Sequence, residues 1–357
     1  MISLRVYETM ELEKRQKALR FGIIGAGVAA ETHARELAQV GGASLISVFA
    51  RDLKKAAAFA ETYSVPQYFA DLAAFLSDPV LDAVIITTPN GLHLDYALAA
   101  AKARKHVIVE KPLEINEARA RRIIDACKAF EVRLFVIYQR RYSAAAAQAL
   151  DDITCGRIGK VILINIVDNQ YRKPSYYQND AWRGTHAVEG GGCVITQSTH
   201  LIDLAQYLVG RIRSVFARTS TAYHSIETED VAAATFEFEG GAIGTFSSST
   251  AAYPGQRHLL TISGTKGTII INGEHDQVVF RRVEAESRSS ELPADFSFSD
   301  PVDPRLYPTT GQRKQLQVIT DALLANNEEQ GADYQLSTVR VIDALYRSAA
   351  SNTVVDL

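Results

Sequence analysis

The sequence predicts an α/β chain of two domains: a doubly wound parallel sheet with helices on both faces, then a domain carrying a larger, mainly antiparallel sheet. Three observations predict it. Short apolar runs alternate with helix-forming segments through the first 140 residues, the spacing of a parallel sheet covered on both faces. The glycine pattern GAGVAA (25–30) sits at the first strand-to-helix junction. Beyond residue 160, alternating runs are joined at glycine turns, as in antiparallel hairpins. With 357 residues the chain is long for one hydrophobic core and comfortable for two.

Residues 1–19 are charged, with no apolar run and no small-residue cleavage site. They read as an arm before the first domain, and no signal peptide is expected. RFGIIG (20–25) is a strand stopped by glycine, and ETHARELAQV (31–40) is the helix behind it. SLISVFA (44–50) is the second strand, followed by LKKAAAFAETY (53–63), rich in helix formers. LDAVIITTP (81–89) is a buried strand ended by Pro89, and GLHLDYALAAAKAR (91–104) is helical. HVIVE (106–110), the helix INEARARRIIDACKAF (115–130) and the strand RLFVIY (133–138) complete a domain placed at residues 20–140.

The second domain is placed at 141–357. KVILINIVD (160–168) is a strand, VAAATFEFEGGAIGTFSSST (231–250) turns at Glu239-Gly240-Gly241, and HLLTISGTKGTIIING (258–273) turns at GTKG. Helices close the chain near 312–326 and 337–350, after a loop rich in Ser, Asp and Pro at 285–311.

Composition excludes several classes. The net charge of −3 gives no electrostatic footprint for nucleic acid. Cys127, Cys155 and Cys193 form no CxxC pair, so a reducing, cytoplasmic setting fits better than a disulfide framework. No zinc-ligand cluster or HExxH pattern appears, so no metal is expected. No run of about 18 apolar residues exists, so no membrane span is expected.

GAGVAA follows the strand FGII and opens a helix, the context a dinucleotide fingerprint needs. Gly25 permits the tight turn, Gly27 lets the backbone approach a pyrophosphate, and Val28 and Ala29 begin the helix whose free N–H groups receive it. NAD sites normally place an acid at the end of the second strand; here Ala50 and Arg51 stand there, which favours NADP over NAD unless Arg51 lies over the adenine ring. Thr88, Pro89, Asn90 and His93, at the end of a neighbouring strand, border the expected nicotinamide position.

Two segments carry the chemistry. Glu110, Lys111 and Pro112 end a strand at the ligand-binding edge of the sheet, and proline restricts the backbone of the lysine before it. Lys111 is a candidate to stabilise alkoxide charge, the alternative being a solvated strand-end lysine. EGGGCVITQSTHLID (189–203) predicts a helix over 193–209, stopped by Gly210. Thr196, His200, Asp203 and Tyr207 then share one face, opposite Val194, Leu201, Leu204, Ala205 and Leu208. That face has neither Lys nor Glu, which suits a cleft wall better than bulk solvent. His200 is the candidate proton carrier, and the alternative is a surface histidine.

GAGVAA after the first strand, EKP at 110–112, GGG with HLID across 190–203, and the closing VRVIDALYRSAASNTVVDL together resemble the glucose–fructose oxidoreductase/inositol dehydrogenase/rhizopine oxidoreductase family, from about residue 18 to the end. The resemblance implies a Rossmann domain, an α/β domain with an open sheet, and NAD(P)-dependent oxidation or reduction of a secondary alcohol on a sugar or cyclitol. By motif, Lys111 matches the family's EKP lysine and His200 its catalytic histidine. Relatives commonly carry Asp or Asn four residues before that histidine; here Thr196 stands there, followed by Gln197. SYYQNDAWRGTHAVEGGG (175–192) is similar to members acting on pyranosides and nucleotide sugars. It makes Tyr176, Trp182, Arg183 and His186 candidate substrate contacts, with Arg140, Arg141 and Tyr142 at the domain junction.

The expected function is oxidation at C3 of a hexopyranoside, glycoside or nucleotide sugar. The alternatives are an inositol or polyol 2-dehydrogenase, an oxidoreductase of non-sugar substrates such as dihydrodiols, and a sugar-sensing regulator on an inactive dehydrogenase fold. The resemblance also implies a homo-oligomer, dimer or tetramer, joined through the open sheet.

Overall fold

The computed structural model describes residues 18–286, 307–325 and 332–357. The expected N-terminal arm, apart from its last two residues, and most of the expected loop at 285–311 lie outside the described residues.

The first sheet has six strands: β1 (Leu19–Ile24), β2 (Ala43–Phe49), β3 (Gln67–Phe69), β4 (Ala83–Ile86), β5 (His106–Val109) and β6 (Leu134–Val136). Their order is 3-2-1-4-5-6, and every pairing is parallel. This is the doubly wound Rossmann order, whose ligand crevice opens at the C-terminal ends of β1 and β4, where the order reverses. The crossovers carry α1 (Val28–Leu37), α2 (Leu53–Tyr63), α3 (Leu72–Leu76), α4 (His93–Lys102) and α5 (Glu117–Ala129). All four residues of β4 are buried, because helices cover both faces. Asn116 caps α5 by accepting from the Arg119 amide at 2.9 Å. β3 and α3 are not among the expected elements: β3 is a short, largely exposed Gln-Tyr-Phe, and α3 a single apolar turn, Leu-Ala-Ala-Phe-Leu.

In the second domain α6 (Ala144–Thr154) leads to β7 (Val161–Asn169), and a single helical turn, Ser175–Gln178, precedes the glycine run. A π-helical turn, Val194–Ser198, runs into α7 (Thr199–Val209). Seven further strands follow: β8 (Ile212–Ser220), β9 (Val231–Phe238), β10 (Ile243–Ser249), β11 (Leu259–Gly264), β12 (Gly267–Asn272), β13 (Gln277–Val283) and β14 (Val355–Asp356). The eight-stranded sheet runs 13-12-11-7-10-9-8-14, antiparallel throughout except between β7 and β10. Both expected hairpins form, β9 with β10 and β11 with β12.

One face of this sheet buries Ile164, Phe236, Phe246 and Leu260 against Leu201 and Leu204 of α7 and Leu345 of the closing helix. The opposite face is open, with Leu163 38% and Ile243 58% exposed.

The last helices, α8 (Thr310–Ala325) and α9 (Ala332–Ser351), return to the first domain. Arg313 pairs with Glu36 of α1 at 2.7 Å. Gln315 and Gln335 donate to the Val136 and Leu134 carbonyls of β6 at 2.8 and 2.7 Å. Side-chain amides thus satisfy an edge strand that would otherwise offer free carbonyls.

Asp203 does not join His200 in lining the cleft. The π turn at 194–198 shifts only Thr196 out of phase with the residues of α7; Asp203, three residues after His200, is instead drawn to Arg141. Both are buried; the Arg141 Nε donates to the carboxylate at 2.7 Å, and Thr338 adds a bond at 2.9 Å. The guanidinium lies 4.0 Å from the Tyr334 ring centre. This pair ties α7 and α9 to the end of β6 and has no part in the cleft. Replacing Asp203 with Ala leaves a buried guanidinium uncompensated, so stability should fall by about 3–5 kcal/mol, read as an earlier urea midpoint, with KM unchanged at temperatures where the variant is folded.

Candidate active site

The glycine run is dictated by close packing. A Cβ on Gly190, which has φ +85°, would lie 2.3 Å from the Ile115 side chain. One on Gly191 would lie 2.0 Å from the Tyr346 hydroxyl, and one on Gly192 would lie 1.7 Å from the Glu229 carbonyl oxygen. No residue with a side chain fits at these positions. Beyond the run, the buried Glu229 carboxylate accepts from the Gly192 and Val194 amides at 2.9 and 3.0 Å and from the Tyr346 hydroxyl at 3.0 Å. A carboxylate from a remote loop therefore satisfies the first N–H groups of this helix. The π turn that follows aims the Thr196 carbonyl at Lys111, whose Nζ donates to it at 2.8 Å.

Lys111 is held from behind as well. Its neighbour Glu110 accepts from the Lys111 amide at 3.1 Å and lies 2.7 Å from Nε2 of His33 on α1. Burial opposes the Glu110 charge, but the His33 bond, the Lys111 charge and the Lys111 amide hold its pKa below the usual value. The Lys111–Pro112 peptide is cis. Burial pushes the Lys111 pKa down, while the Glu110 carboxylate pulls it up.

His200 and Lys111 face one cleft of about 260 Å³, whose wall also includes Glu110, Thr196 and Gln197. His200 Nδ1 is buried without a partner. Burial pushes its pKa well below the usual value, and the charges of Lys111, Arg140 and His258 push in the same direction. At neutral pH the ring is therefore an uncharged proton acceptor.

Thr196 reaches this cleft, but its hydroxyl lies 2.8 Å from Oε1 of Glu189. Glu189, 1% exposed, also accepts from the Gly184 amide. Gln197 donates to the Tyr176 hydroxyl at 3.2 Å, which connects Tyr176 to the cleft wall. Arg140 lines the cleft and pairs with Asp276 at 3.2 Å.

Trp182, Arg183 and His186 do not line the cleft. Arg183 pairs with Asp180 at 2.9 Å and lies 4.2 Å over the Tyr176 ring and 4.6 Å over that of Trp182. His186 is exposed. Arg141 and Tyr142 sit with the buried Asp203 pair, so the junction arginine that reaches the cleft is Arg140.

The cleft contains residues that the sequence reading passes over. Asp168, Gln170 and Arg172, at and beyond the end of β7, all line it. Their period of two was the available signal. Asp168 accepts from Ser198 at 2.9 Å and from Gln170 at 2.8 Å, and it lies 3.7 Å from His258 Nε2. His258, Glu274 and Asp276 reach the cleft only because β11 pairs with both β7 and β12, and no local pattern marks them.

The dinucleotide segment has the shape its cofactor requires. Gly25 has φ +116°, and a Cβ there would lie 2.5 Å from the Thr87 hydroxyl. Around Gly27 nothing lies within 4 Å of a Cβ position, and no side chain caps α1, so the helix N-terminus is open to a phosphate. Val28 and Ala29 line the same cleft. Ala50 is buried at the end of β2 and Arg51 is exposed beyond it. The next acid, Asp52, caps α2 through the Lys54 amide at 2.9 Å. Thr88 and Pro89 follow β4, and Asn90 donates to the Glu189 carbonyl at 2.9 Å. His93 is not a cofactor contact. It is fully buried, with its ring nitrogens 3.0 and 2.9 Å from the Pro112 and Thr88 carbonyls, and it clamps the two strand ends together. Among the described residues no helix is long and apolar enough to cross a membrane, and no cluster could hold a metal ion.

Residues 19–138 match an oxidoreductase family with an NAD-binding Rossmann fold, and residues 146–270 match the GFO/IDH/MocA C-terminal domain. The chain is 30% identical over 285 residues to scyllo-inositol 2-dehydrogenase (NAD(+)) of Bacillus subtilis, across 78% of this chain and 80% of that one. It is 28% identical over 280 residues to myo-inositol 2-dehydrogenase of Thermotoga maritima, across 76% and 80%. Among solved structures, the WlbA dehydrogenase of Bordetella pertussis in complex with NADH and UDP-GlcNAcA superposes with a TM-score of 0.84 at 28% identity, across 96% of this chain and 98% of that one. The chain belongs to the GFO/IDH/MocA family of oxidoreductases, with an NAD-binding Rossmann domain at its N-terminal end.

Proposed function

We propose that the protein is a cytoplasmic NAD(P)-dependent dehydrogenase that oxidises a secondary alcohol of a sugar, at C3 of a hexopyranoside, glycoside or nucleotide sugar. One observation carries this reading. Lys111 and His200, from different domains, face a single polar cleft at the C-terminal edge of a Rossmann sheet. A regulator on an inactive fold would have no need of both groups. The relatives support the substrate class, since two of them are inositol dehydrogenases and one was solved with NADH and a nucleotide sugar.

The open N-terminus of α1, with Gly25 and Gly27, would hold the cofactor's pyrophosphate, and Thr88 to Asn90 would border its nicotinamide. When bound, the nicotinamide supplies the hydride acceptor. The uncharged His200 takes the hydroxyl proton. Lys111, fixed between Glu110 and the Thr196 carbonyl, stabilises the negative charge that develops on the substrate oxygen. Asp168, His258, Glu274 and the Arg140–Asp276 pair offer donors and acceptors for the remaining hydroxyls. A second reading, oxidation at C2 of an inositol, is favoured by the two inositol dehydrogenases among the relatives. Turnover of methyl β-D-glucopyranoside and a UDP-hexose against myo-inositol separates the two, and turnover of none of them would remove both.

The small Ala50 followed by the exposed Arg51 leaves room and charge for a 2′-phosphate, which favours NADP. The open face of the second sheet, with Leu163 and Ile243, would join copies into a dimer or a tetramer.

Replacing His200 with Ala should leave cofactor binding intact, measured by fluorescence titration, and lower kcat by roughly 10²–10⁴-fold. Replacing Arg51 with Ala should weaken NADP binding by about tenfold, the worth of one charged contact, and leave NAD binding unchanged. Placing a charge on the open face with Ile243→Asp should shift the molecular mass in light scattering to that of a monomer.

A further inference from the structure

We propose that Glu189 is a positioning residue whose ionisation decides whether Thr196 offers the cleft a hydrogen-bond acceptor or a donor. The proposal deepens the dehydrogenase reading and rests on it.

The geometry allows Glu189 little freedom. The side chain is 1% exposed. One carboxyl oxygen, Oε2, accepts from the Gly184 amide; the other, Oε1, meets the Thr196 hydroxyl at 2.8 Å. A backbone N–H can only donate, so Oε2 must remain an acceptor in either protonation state. A hydroxyl can donate or accept. Thr196 is therefore the partner whose role can reverse. A proton arriving on Glu189 resides on Oε1 and points at Thr196. The backbone is pinned as well, with the Glu189 carbonyl accepting from Asn90 at 2.9 Å and the Glu189 amide donating to Thr185 at 3.1 Å.

The consequence reaches the cleft because Thr196 lines it. With Glu189 ionised, Thr196 gives its only proton to the carboxylate and presents lone pairs to the substrate. With Glu189 protonated, Thr196 accepts from the acid and its own proton turns outward. An alcohol has a proton to donate and fits the first state. A ketone oxygen can only accept and fits the second. Glu189 thereby matches the cleft to the redox state of the substrate.

The surroundings favour a carboxyl that visits both states. Burial pushes the Glu189 pKa up; the Gly184 and Thr196 bonds and the Arg183 charge pull it down, and the Glu229 carboxylate pushes it up again. Tyr177 and the Lys111 ammonium also feel its charge. The net direction is upward, toward neutral pH.

The test uses the full chain as E189Q, T196V and T196S. In the ligand-free wild type, the infrared C=O stretch of a buried carboxylic acid should titrate above the ordinary carboxylate range. E189Q should lose the Glu189 part of that absorption, read in the wild-type minus E189Q difference spectrum, because Glu229, Asp203 and Asp276 are also buried carboxyls with raised pKa values; T196V should shift the midpoint of that part upward. Gln donates permanently to Thr196, so E189Q imitates the protonated state. Its KM for the alcohol should rise about tenfold, the worth of one hydrogen bond, its affinity for the ketone should increase, and the pH dependence of the alcohol KM should vanish. These constants are read with methyl β-D-glucopyranoside and its 3-ketone, or with myo-inositol and its 2-ketone, whichever pair the wild type turns over. T196S should behave as wild type. A wild-type minus E189Q difference spectrum that shows no titrating carboxylic-acid band overturns the proposal, as do wild-type KM values and pH dependence in both E189Q and T196V. A wild type that turns over neither pair nor a UDP-hexose while the Glu189 band titrates refutes the dehydrogenase reading and leaves the proton state of Glu189 in place.

Discussion

The bond from Lys111 Nζ to the Thr196 carbonyl is the contact on which the site depends. It joins the edge of the Rossmann sheet to the π turn of the second domain. A hydrogen bond from a charged donor contributes about 1.5–3 kcal/mol, and here it also fixes a side chain that would otherwise sample many rotamers. The features on either side serve it. His93 clamps β4 to Pro112, His33 holds Glu110, and the three glycines let the π turn approach between Ile115, Tyr346 and Glu229.

The same lysine sets the electrostatics. Burial first, and then the Lys111 charge, lower the His200 pKa, and in the proposed reaction the same charge would favour an alkoxide on the substrate. Further out, Arg140 meets Asp276, and His258 lies between Asp168 and Glu274. The wall is densely polar yet nearly balanced in charge, which suits a neutral ring of hydroxyls. The site places a hydroxyl at Thr196, with a carboxyl one bond further back at Glu189.

Much of this was legible in local pattern. The alternation of apolar strands with helices, the glycines of GAGVAA and the two hairpins are signals contained within a few residues, and each forms where expected. Lys111 and His200 were legible because strand-end placement and helical spacing bring them to a cleft. Asp203 misled the helical-face argument because its partner Arg141 lies 62 positions away, where helical spacing gives no sign of it. His93 was misplaced because its two acceptor carbonyls come from the ends of two strands. His258, Glu274 and Asp276 depend on strand order, which no local pattern encodes.

The central claim is that Lys111 and His200 act as one unit on one alcohol. A double-mutant cycle in kcat/KM tests it most directly, using Lys111→Met, His200→Ala and the pair. Residues that act together are strongly non-additive, so the double variant should be little worse than the more damaged single variant. Losses that multiply in full would show two independent contributions and contradict the account.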